Sequence, residues 1–168
     1  GSVGSVTVSG PGSTWTNAGV LYVGAGGVGT LAIQGGGKVS SGYSMIGYVR
    51  VDPTVASGSA TVSGSGSTWT NNELRVGVNG PGALTIDSGG TVLTTNLVLG
   101  DSTARGSGTL NLGAGGVLET GSVQKGTGTG IFLDNNDQSP GVATITFQGG
   151  MALSTGATTR LIDRLEAS

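Results

Sequence analysis

Short apolar–polar–apolar triplets recur along the chain: Val6-Thr7-Val8, Leu31-Ala32-Ile33, Ala60-Thr61-Val62, Leu84-Thr85-Ile86, Leu110-Asn111-Leu112 and Ala143-Thr144-Ile145. Strict alternation of this kind predicts a β-segment with one face on a core and one in water. A second phrase, apolar residues ending in glycine, falls between the triplets: Leu21-Tyr22-Val23-Gly24, Met45-Ile46-Gly47, Leu74-Arg75-Val76-Gly77 and Leu97-Val98-Leu99-Gly100, with a weaker copy at Val123-Gln124-Lys125-Gly126. A third apolar position follows a Gly-rich corner and is occupied in turn by Trp15, Val39, Trp69, Val92 and Leu118. Thr, Val, Ile and Leu dominate all these segments, as suits a pleated, half-buried surface. No helical period of any length precedes the last dozen residues.

Each phrase returns once in roughly 25 residues, a repeat too short for the four strands of a propeller blade. Neighbouring segments are unlike one another, whereas equivalent ones recur a full period later, so hairpin pairing of neighbours is disfavoured. Stacking like on like predicts parallel strands and an all-β solenoid, a parallel β-helix of about six coils with three short strands in each. At the usual strand spacing, six coils make a rod about 29 Å long. Val8, Ile33, Val62, Ile86 and Leu112 are predicted to form one inward-pointing core column. The whole chain, 1–168, reads as one β-helix fragment of a longer protein, with Gly1-Ser2 as an added start. Two long intervals predict loop insertions at 48–59 and 126–141, each with a proline that cannot serve an interior ladder. The last stretch, 158–168, reads as a tail or capping segment.

Composition narrows the chemistry. Glycine supplies 36 of 168 residues, charged residues only 10%, and the formal charge is −2. The seven basic residues are scattered, which disfavours a nucleic-acid partner. There is no Cys and no His, so thiol chemistry and a Ser-His-Asp triad are both excluded from this chain. No apolar run approaches the ~20 residues of a membrane helix.

Candidate binding residues come from the phrase "SGPGSTWTN", residues 9–17, which returns as "SGSGSTWTN" at 63–71. It places both tryptophans of the chain, Trp15 and Trp69, in equivalent positions two coils apart. Two uses fit: an oversized core or corner filler, or a pair of rings about 10 Å apart on one face, able to stack on sugars. Asn17 and Asn71 follow by two residues and suit either that surface or hydrogen bonding between coils. The densest acidic spot, "DNND", offers Asp134 and Asp137 as weak calcium candidates, although it lacks calcium-loop spacing and turn-forming Asx residues explain it better. No cofactor and no catalytic residue is predicted.

The order GSTWTN, L-x-V-G, G-x-L-x-I, G-G-x-V and apolar-apolar-Gly, complete at 12–47 and 66–100 and partial at 108–126, resembles the repeats of bacterial autotransporter (type V secretion) passenger domains. The resemblance implies a right-handed parallel β-helix exported to the cell surface or beyond, in an adhesin-like role. It also implies membrane attachment only through a C-terminal β-barrel that these residues do not contain. The expected function is therefore a non-catalytic adhesin or stalk whose partners are a host glycan, a matrix protein or another copy of the solenoid. The alternative is a polysaccharide-degrading, pectate-lyase-like β-helix. A hydrolase of this fold needs two carboxylates ~5–9.5 Å apart across a sugar bond, and a lyase an Arg or Lys beside a calcium-binding acidic cluster.

Overall fold

Alternating triplets pair with their own copies one period on. The computed structural model describes residues 1–49, 56–100, 106–125, 131–134 and 144–147, with side chains up to residue 124. One six-stranded sheet contains β1 (Val3–Ser9), β3 (Val28–Gln34), β5 (Ser57–Ser63), β7 (Pro81–Asp87), β9 (Ser107–Leu112) and β11 (Ile131–Asp134), in that spatial order. The other contains β2 (Thr14–Ala25), β4 (Lys38–Tyr48), β6 (Thr68–Val76), β8 (Thr91–Leu99), β10 (Val117–Lys125) and β12 (Thr144–Phe147), also in chain order. Every adjacent pair in both sheets is parallel. The chain is a parallel β-solenoid of about four turns, with no helix among the described residues.

The coil is built from two strands, not the three expected. The second and third predicted segments merge into one longer strand with a bend in it. Burial in β6 shows the bend: Trp69 and Asn71 point inward, Asn72 and Glu73 outward, and Leu74 and Val76 inward again. Two successive outward residues shift the phase of alternation, and inter-strand pairing skips Gly42, Asn72, Thr95 and Gly121 at that point. The sheet turns a corner there, and its pairing resumes on the far side.

The interior is a set of in-register columns. Val8 pairs with Ile33, Ile33 with Val62, Val62 with Ile86, and Ile86 with Leu112, and all five are buried. Val6, Leu31, Ala60, Leu84 and Leu110 form the parallel column two residues earlier. Trp15, Val39, Trp69, Val92 and Leu118 face them from the second sheet. Each coil thus buries its apolar side chains largely against its neighbours, so a single coil has little core of its own.

Glycine closes the corner where the second sheet hands back to the first. Gly77 holds φ of 81°, and a Cβ there would collide with the Ser107 carbonyl at the start of β9. Gly24 and Gly47 repeat this at Ser57 and Pro81. A second glycine, Gly29, Gly58, Gly82 or Gly108, lies opposite, because its own Cβ would strike the corner backbone. Both strand ends come within backbone contact, a distance only glycine permits.

At the other corner Ser88 adopts a left-handed φ of 52°, where the equivalent residue of an earlier coil is Gly35 at 58°. Left-handed backbone costs a non-glycine residue about 1–2 kcal/mol. Added glycine freedom in the unfolded chain offsets about 0.4–1 kcal/mol of that. Ser88→Gly is therefore expected to raise the thermal midpoint slightly, a net gain below about 1 kcal/mol, readable by circular dichroism.

Three boundaries differ from the sequence reading. The 48–59 insertion is shorter than expected, since Tyr48 ends β4 and Ser57 begins β5; residues 50–55 lie outside the described residues. Within 126–141, Ile131–Asp134 forms β11 beside β9 and is not loop. The triplet ending at Ile145 belongs by its pattern to the first sheet, but β12 pairs with β10 in the second, Ile145 opposite Leu118. The apolar run "IFL" occupies the first-sheet place instead. The tail 158–168 and Asp137 lie outside the described residues.

Candidate binding surface

The two tryptophans occupy one column, yet they do not share an environment. Trp69 is fully buried, at 0% exposure, between Val39 and Val92. Its indole Nε1 donates to Ser41 Oγ at 3.4 Å. Trp15 is half-buried and packs on the core from the end coil, where no strand precedes β2 in the sheet. A sugar-stacking platform made of Trp15 and Trp69 is not formed, because alternation turns Trp69 to the interior.

Asn71 is likewise buried and not part of a surface. Its Oδ1 accepts hydrogen bonds from Ser41 Oγ at 2.7 Å and Ser44 Oγ at 2.5 Å, both from the preceding coil. Asn17, half-buried, accepts the Gly19 N–H at 3.1 Å through its own Oδ1. These asparagines belong to a polar column at the bend: Asn17, Ser41, Asn71, Thr94 and Thr120. Thr94 Oγ1 donates to the Asn96 carbonyl at 2.9 Å, and Thr120 Oγ1 to the Ser122 carbonyl at 2.8 Å. Where the chain bends and skips a pairing, side chains at this position satisfy backbone groups that strand partners leave unmade. The recurring "STW" has a matching local reason: Ser13 Oγ donates to the Ser9 carbonyl at 2.6 Å and Ser67 Oγ to the Ser63 carbonyl at 2.7 Å, locking both copies of one turn.

Replacing Asn71 with alanine is expected to destabilise the chain by about 1 kcal/mol: Ser41 and Ser44 lose their shared acceptor, but one can then donate to the other across 2.7 Å, and the amide nitrogen removed had no partner among the described residues. A chemical denaturation curve reads this directly.

Among the described residues the exterior carries few charges and many hydroxyls. Thr14, Thr68 and Thr91 line one outward row, broken by Lys38, and Thr16, Ser40 and Thr70 the next. Ser40 Oγ donates to Thr16 Oγ1 at 3.4 Å across coils. Among the described residues no group of three or more His, Cys, Asp or Glu could hold a metal ion. Asp134 is placed at the end of β11 opposite Asn111.

One outward patch departs from this plain surface, and sequence reasoning missed it. Beyond the bend, Val20 and Tyr22 of β2 lie beside Tyr43 and Met45 of β4. Val20 and Tyr22 are 41% and 45% exposed. Tyr48 swings over after Gly47, its ring 5.1 Å from that of Tyr22 and tilted by 38°. On the third coil, Glu73 accepts from Tyr43 Oη at 3.0 Å and pairs with Arg75 Nε at 2.5 Å, while the guanidinium stands 5.5 Å from the Tyr43 ring centroid. All three tyrosines of the chain thus gather on two coils. The available signal was that Tyr22 and Tyr43 sit in the polar phase of their segments, where other coils place Arg75, Val98, Glu73 and Asn96.

Fold and surface together define a parallel β-solenoid with a low-charge, hydroxyl-rich exterior. Over 103 residues, 60% of its length, the chain is 36% identical to the adhesin BmaC autotransporter of Brucella suis biovar 1 (strain 1330). It spans 3% of that protein's length. The resemblance to autotransporter passenger repeats read from the sequence therefore stands. No family model matches the chain, and no solved structure matches it significantly.

Proposed function

We propose that this chain is a cell-surface or secreted segment of an autotransporter passenger that works as an adhesive stalk without catalysis. The observation that carries the reading is the unbroken stack of like coils, together with likeness to an adhesin autotransporter. A rigid rod of repeated coils presents long flat faces, which suit many weak contacts more than one deep reaction site. Its partners are a host glycan, a matrix protein or a second solenoid. In the same reading the coils wind right-handed, as nearly all parallel crossovers do, and β11 and β12 begin a sixth coil. Attachment to the outer membrane would come from a β-barrel elsewhere in the full protein.

Cells displaying the chain are expected to settle faster than bare cells in a sedimentation assay, or to bind immobilised matrix protein or glycan. Neither behaviour in any of these formats would refute the adhesive reading. Release of reducing sugar from pectin or a mixed glycan panel would favour the pectate-lyase-like alternative.

A further inference from the structure

We draw no further inference here: the strongest candidate, the apolar surface patch of Val20, Tyr22 and Tyr48 on the outer face of the second sheet, belongs to the first two coils, and nothing among the described residues shows what covers it.

Discussion

Gly77→Ala is expected to lower stability by about 2–5 kcal/mol, whereas Gly26→Ala should cost only about 1–2 kcal/mol. Both glycines hold left-handed backbone, with φ of 81° at Gly77 and 73° at Gly26. Their surroundings differ. A Cβ on Gly26 would meet nothing within 4 Å, but on Gly77 it would collide with Ser107 and Gly108 at the start of β9. The common conformational penalty is about 1–2 kcal/mol, and the excess at Gly77 is the cost of pushing packed backbone aside. Urea midpoints of the two variants measure the difference. Equal midpoints would show that the corner glycine serves backbone angle alone and that coils are not in contact there.

Trp69→Ala is expected to cost about 3–5 kcal/mol, the range for removing a fully buried large aromatic side chain. Trp15→Ala, in the matching phrase, should cost less than half as much. Trp69 is covered by coils on both sides, while Trp15 has a partner strand on one side only. Denaturation midpoints provide the test, and acrylamide quenching offers an independent one: the Trp69→Ala variant, retaining Trp15, should be quenched far more readily than Trp15→Ala. Similar quenching of the two would mean that both rings face solvent, contrary to the burial of Trp69.

These two residues also show how far the sequence could be read. The recurrence of the phrase at 9–17 and 63–71 located two equivalent positions, and the pairing of both with Val39 follows from that spacing. The same recurrence could not tell inside from outside for Trp15. Alternation gives both copies the same phase, but exposure depends on whether another coil is stacked above. The asparagines were harder still. Asn71 suited either an outward surface or hydrogen bonding between coils, and it faces inward at a bend, bonded to the preceding coil. There two buried serine hydroxyls, Ser41 and Ser44, donate to the Asn71 Oδ1, an acceptor that leucine would not supply. No local pattern announced the bend, since the segments on either side of it each keep a regular alternation of inward and outward residues.

Periodicity by itself determined that the chain is a stack of parallel β coils with its aliphatic triplets inside, because each apolar column requires its own copy one turn away. It also determined which glycines recur at corners. Only the tertiary structure decided that each coil has two strands with a bend in the second, that β12 joins the second sheet, and that Tyr22, Tyr43 and Tyr48 meet on one face. Those outcomes depend on how far the chain turns at each corner and on which residues then lie across from one another. Such distances arise from contacts between coils and have no counterpart in the spacing along one of them.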